Sequence, residues 1–176
     1  FMVIATQNPI EQAGTYKLPE AQLDRFLLKT SIGYPDLESA ERILAGSADR
    51  NPSARLSPVI TGQAVADMAD LAATTHTAPA VLRYVAELAE NTRKSGDVRL
   101  RVSVRGAISM IRIAKVWAAS QGRRFVTPDD ILHLAGPVWS HRVVLDPEAE
   151  FAGTTPESVI ARVVEDTTAP QQRLTA

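Results

Sequence analysis

Three polar side chains stand out for what they could do. Asn8 ends the apolar run "FMVIATQNP", and its amide offers both a hydrogen-bond donor and an acceptor. Capping a turn ahead of Pro9 is the ordinary use of such an Asn-Pro pair. Arg25 lies in "LPEAQLDRFLLKTSI", between a short helical stretch and an apolar segment. It is an always-charged planar donor; its bland use is an ion pair with Asp24 or Glu20, worth ~1 kcal/mol or less when exposed. Arg105 follows Ser103 in the first turn of a long helical pattern, where a cation opposes the helix dipole and needs another reason to be present. Arg99, Arg101 and Arg105 also alternate along "RLRVSVR", as in a solvated basic strand edge.

Other chemistries fall away. The 176 residues contain no cysteine, which excludes thiol catalysis, a disulfide framework and a thiolate zinc site. The three histidines, His76, His133 and His141, are not at i, i+4 spacing and no HExxH occurs, so no metal site is expected. A formal charge of −1 with 5% aromatic residues argues against nucleic acid as the main partner. No apolar run approaches the ~18 residues of a membrane span, and the opening run is too short for a signal sequence.

These residues need elements to position them. Phe1 to Thr6 reads as a strand buried on both faces of a mainly parallel sheet, stopped by Pro9. Pro19 and Glu20 open a helix of one or two turns, and Leu27 to Ile32 reads as a second strand closed by Gly33 and Pro35. Two strands and a short helix cannot form a stable parallel sheet alone, so residues 1–35 are expected to be the end of a larger α/β domain. Residues 36–176 read as a helical domain. Asp36 caps a helix whose Leu37, Ala40, Ile43 and Leu44 share a face; Thr61 caps another to about Ala73; Thr77 with Pro79 starts a third, with Val81, Leu82, Val85, Leu88 and Ala89 in its stripe. Ser103 caps the longest helix, lined by Ile108, Ile111, Ala114, Lys115 and Ala118, with Gly122 at its C-terminal cap. Thr127-Pro128-Asp129-Asp130 and Thr155-Pro156-Glu157-Ser158 each place a hydroxyl before Pro and a carboxylate in the first turn. Between them "RVVLDP" is expected to be a short strand, paired with "RRFV" or with "VRLRVSV", and the tail after Ala169 is expected to fray.

Together "ATQNPIEQAGTYKLPEAQLDRFLLKTSIGYP", "RVSVRGAISMIRIAKVWAASQGRRFVTPDDI" and "HRVVLDPEAEFAGTTPESVI" resemble the MoxR family of AAA+ ATPases along nearly the whole chain. Ala13, Lys17 and Val104 depart from the family pattern, which usually has Glu, Pro and Pro there. No GxxxxGK[ST] nucleotide loop occurs, so the resemblance implies a C-terminal fragment, the end of the ATPase core followed by the helical lid. It further implies that Asn8 is the sensor 1 residue orienting the attacking water and that Arg25 is an arginine finger for a neighbouring subunit's nucleotide. By the same resemblance Arg105 is the sensor 2 arginine reporting the γ-phosphate, in cis or in trans. The implied substrate is ATP with Mg2+, bound mainly by the N-terminal part. The implied assembly is a hexameric ring in the cytoplasm that remodels or matures protein complexes, with proteins carrying von Willebrand factor A domains among the possible partners.

Three alternatives stay open on the residues. A magnesium-chelatase-like or helicase-like AAA+ subunit shares the strand, Asn and Arg logic. A non-catalytic helical interaction module would explain the helices but not the opening apolar run. Nucleic-acid binding through Arg99 to Arg105 and Arg123-Arg124 would need a steep salt dependence.

Overall fold

The computed structural model describes residues 2–7, 18–46 and 56–170; Asn8 and the tail beyond 170 lie outside them. The described chain is mainly helical. Its helices are α1 (Glu20–Leu23), α2 (Leu37–Ala45), α3 (Gly62–Ala73), α4 (Pro79–Lys94), α5 (Val104–Ser120), α6 (Pro128–Trp139), α7 (Pro147–Phe151) and α8 (Pro156–Asp166), with a 3-10 turn at Ser140–Arg142. Strands β1 (Val98–Leu100) and β2 (Val144–Leu145) pair antiparallel, Val98 opposite Leu145 and Leu100 opposite Val144. This is the "VRLRVSV" pairing. Phe125 in "RRFV" instead bridges His76 through backbone bonds on either side of it.

Local chemistry sets most helix starts. The side chains of Asp36, Thr61 and Ser103 accept from the backbone N–H three residues on, and Thr127 and Thr155 form reciprocal boxes with Asp130 and Ser158. Gly122 takes φ 71° just past α5, the left-handed turn that glycine permits. At α4 the expectation fails in part. Pro79 does open the helix, but Ala78 is its N-cap and the Thr77 hydroxyl is buried without a partner.

The core lies between α4, α5, α6 and α8, with Tyr84, Leu88, Met110, Ile131, Trp139 and Ile160 fully buried. On α5 the buried face is Gly106, Ser109, Met110, Ile113, Ala114 and Ala118, so the expected stripe is turned. Ile111 is only partly buried and Ile108 is exposed. Both line an open groove of about 680 Å³ with Leu82 and Val116, beside which the Lys115 ammonium donates to the Ala73 carbonyl. On α4, Tyr84 and Thr92 join the buried face and Leu82 leaves it. The apolar face of α2 forms as read, yet Leu37, Ile43 and Leu44 are all exposed.

The two segments expected as N-terminal strands are unpaired among the described residues. Residues 2–7 and 27–32 have no ladder partner among the described residues, and a strand exists only through such a partner. The second segment spends its backbone groups elsewhere: the Lys29 N–H donates to the Pro137 carbonyl at 2.9 Å, and the Leu27 carbonyl accepts from Arg142.

Candidate functional site

The segment from Glu20 to Lys29 is seated on the helical domain, and one side chain makes the seat. Arg142 ends the 3-10 turn after α6, and its side chain is 1% exposed. A buried guanidinium must fill its five donors or cost several kcal/mol, and Arg142 fills them largely from this segment. Its Nε donates to Asp24 Oδ1 at 3.2 Å. Nη2 donates to the carbonyls of Asp24 (3.3 Å) and Phe26 (2.6 Å) and to Ser109 Oγ (3.2 Å). Nη1 reaches the carbonyls of Leu27 at 3.3 Å and of Val138.

Two helix ends converge on this point. The last carbonyls of α6 have no partner within the helix; Val138 gives its carbonyl to Arg142 and Pro137 gives its own to Lys29. The negative end of the α6 dipole also favours the cation there. From the other side, the Ser103 hydroxyl that caps α5 donates to the Asp24 carboxylate, at 3.0 and 3.1 Å from its two oxygens. Gly106 makes room: a Cβ there would lie 3.0 Å from Arg142 Cδ and from Val102 Cγ1. The Gly106 carbonyl is held by the Trp139 indole N–H at 3.0 Å. Outside, an Arg99–Glu20 pair at 2.6 Å ties β1 to α1, but both side chains are about half exposed, so it contributes little.

His141 completes the seat. Its Nε2 lies 3.1 Å from the Phe26 carbonyl and its Nδ1 is buried without a partner. Burial pushes the imidazole below its ordinary pKa; the Phe26 carbonyl opposes this, the nearby Arg142 and Lys29 cations add to it, and Asp24 opposes it. Burial also lowers Arg142, partly offset by Asp24.

Of the residues singled out in the sequence, Arg25 is exposed, and among the described residues its guanidinium has no hydrogen-bond or ion-pair partner. The ion-pair alternative finds its carboxylates taken, Asp24 by Arg142 and Glu20 by Arg99. Arg105 is exposed in the first turn of α5. The structure brings their neighbourhoods together, since Asp24 beside Arg25 is bonded to Ser103, two residues before Arg105. The edge of alternating arginines is broken, because Arg99 lies in β1 and Arg105 in α5. Asn8 is outside the described residues.

Arg142, Ser103 as a donor and Asp24 as an acceptor were not found by sequence reasoning. One signal was available: Arg142 is a lone cation in the otherwise apolar or uncharged run "GPVWSHRVVL", where a charge must be paired if buried. Among the described residues no three His, Cys, Asp or Glu side chains gather to hold a metal.

Comparison with known proteins gives this geometry its setting. Residues 90–163 match the AAA lid domain and residues 1–28 match the ATPase family associated with various cellular activities. The chain is 37% identical to the uncharacterized protein YeaC of Bacillus subtilis, over 98% of its own length and 54% of that protein's. It is 35% identical to the chaperone MoxR1 of Mycobacterium tuberculosis, over 97% of its length and 47% of the relative's. It thus spans about half the length of these curated relatives. A crystal structure of a protein assigned as an ATPase, from Cytophaga hutchinsonii, superposes with a TM-score of 0.82 at 28% identity, covering 94% of this chain and 53% of that one. With an AAA lid behind an AAA ATPase segment and MoxR proteins among its relatives, the chain belongs to the MoxR family of AAA ATPases.

Proposed function

We propose that the chain is the sensor-and-lid part of a ring-forming ATPase, with residues 1–35 closing the ATPase core and 36–176 forming the lid. In this reading Arg25 reaches a neighbouring subunit's ATP, Arg105 reports the γ-phosphate, and Asn8 orients the attacking water. The observation that carries it is the state of Arg25. Its main chain is pinned on both sides, at Asp24 and at Phe26 and Leu27, while its side chain is exposed with no partner among the described residues. Such an arginine is preorganised to meet an anion from outside its own chain, and its planar fork suits the charge that spreads over a transferring phosphoryl group.

ATP, held mainly by the N-terminal part, would supply the phosphoryl group, and its Mg2+ would neutralise part of the charge when bound. This chain's residues would orient and sense it. Hydrolysis then drives chaperone-like remodelling of protein complexes by a hexameric ring; the chaperone part of this reading is supported by the name of the MoxR1 relative.

The test uses the protein carrying both this chain and a nucleotide loop. Arg25→Ala should leave ATP binding nearly unchanged and slow hydrolysis roughly 10³-fold or more. Mixed with finger-bearing subunits disabled in the nucleotide loop, the Arg25→Ala subunits should regain part of that rate, and dilution below ring assembly should abolish the rescue. No rescue in rings shown to be mixed would overturn the reading.

A further inference from the structure

We propose that Arg142 is a positioning residue that makes the segment carrying Arg25 part of the lid, so that the finger moves with the lid that bears Arg105. The inference rests on the finger reading of Arg25 and adds a different residue and a direction of coupling. If the first turn of α5 responds to nucleotide in one site, the finger aimed at the neighbouring site is displaced with it.

The geometry favours a rigid junction. Arg142 bonds the segment at three carbonyls that flank Arg25, those of Asp24, Phe26 and Leu27, so the backbone around the finger is fixed while its exposed side chain has no partner among the described residues. The same guanidinium is bonded to α5 through Ser109 and to the end of α6 through Val138. Asp24 is bonded at once to Arg142 and to the α5 cap Ser103. A shift of the start of α5 therefore cannot leave Asp24 in place without giving up charge-assisted hydrogen bonds in a partly buried setting, the stronger kind to break. A lysine at position 142 would keep the charge but lose the fork that serves several acceptors in one plane.

The experiment has two arms. The chain lacks cysteine, so Gln22→Cys in the exposed part of α1 takes a single spin label. Arg142→Lys should sharpen its spectrum, reporting a freed segment, with the far-ultraviolet circular dichroism unchanged. Asp24→Asn, which leaves the lid core untouched, should do the same and guards against a folding defect in the first variant. In the assembled ATPase Arg142→Lys should lower kcat by about 100-fold, the scale of a small misplacement of a reacting group, with KM for ATP nearly unchanged. It should add nothing to Arg25→Ala in the double variant. Spectra unchanged in both variants, or losses that multiply in the double variant, would overturn the proposal. An Arg25→Ala protein that hydrolyses ATP normally would overturn the finger reading instead, while the spectra still decide whether Arg142 holds the segment.

Discussion

At the scale of single residues the junction depends on what is absent at position 106. Gly106 lies in the first turn of α5, against Arg142 and Val102. Alanine ordinarily stabilises a helix by up to about 1 kcal/mol over glycine, which argues for tolerance. Against this, the added methyl would sit 3.0 Å from two side-chain carbons, and Arg142 cannot retreat without loosening its bonds to Asp24, Phe26 and Val138. Overpacking of this kind costs typically 1–3 kcal/mol, so Gly106→Ala should be destabilised by roughly 1 kcal/mol net in urea unfolding. A more stable variant would mean that the guanidinium yields easily and is a weak clamp.

Among the elements, α5 shows why a helix can be located from its sequence while its inward face is not. Its start was legible because Ser103 caps it by a bond three residues long, and the same local chemistry exposed Asp36, Thr61, Thr127 and Thr155. Its face was not, because Ile108, Met110, Ile111, Ile113 and Val116 surround most of the helix; spacing alone then cannot choose between two overlapping stripes. Packing chooses Met110, which is fully buried, over Ile111, which borders the open groove. Met110→Asp should therefore cost several kcal/mol as an unpaired buried charge, and Ile111→Asp on the order of 1–2 kcal/mol, since its carboxylate can turn toward water. Equal losses in urea midpoint would place the wrong face inward. The segments 2–7 and 27–32 have no ladder partner among the described residues for a related reason: a helix carries its hydrogen bonds within itself, whereas a strand is defined by a neighbour. Arg142 was missed as a clamp because its partner Asp24 is 118 residues away, while Arg25 and Arg105 were legible through motif resemblance.

For the molecule as a whole, the junction between the finger segment and the helical domain should respond to mild acid. His141 is held against the Phe26 carbonyl beside two cations, Arg142 and Lys29, with Asp24 the only opposing charge among the causes of its shift. Its folded pKa is lowered, first by burial, so between that value and the ordinary imidazole value of about 6.5 the unfolded chain binds more protons than the folded one. Stability must then rise with pH across this window: it is fully present above about pH 6.5 and is lost as pH falls toward the folded value, by at most about 1.4 kcal/mol per pH unit. Asp130 is a different case. Burial would raise its pKa, but the hydrogen bonds from Arg123 and Thr127 outweigh this and lower it, so its contribution is present above about pH 3.9 and fades only as pH falls through its lower folded pKa. Loss between pH 7.5 and 5.5 therefore isolates the imidazole when wild type is compared with His141→Gln, whose amide can donate to Phe26 without titrating. Urea unfolding should show the wild type losing stability on acidification and the variant losing less. The spin label at position 22 should loosen in the same range in the wild type only, because a protonated imidazole beside Arg142 repels the guanidinium that holds the segment. Identical pH profiles for the two proteins would place His141 outside the seat and leave Arg142 to hold it alone.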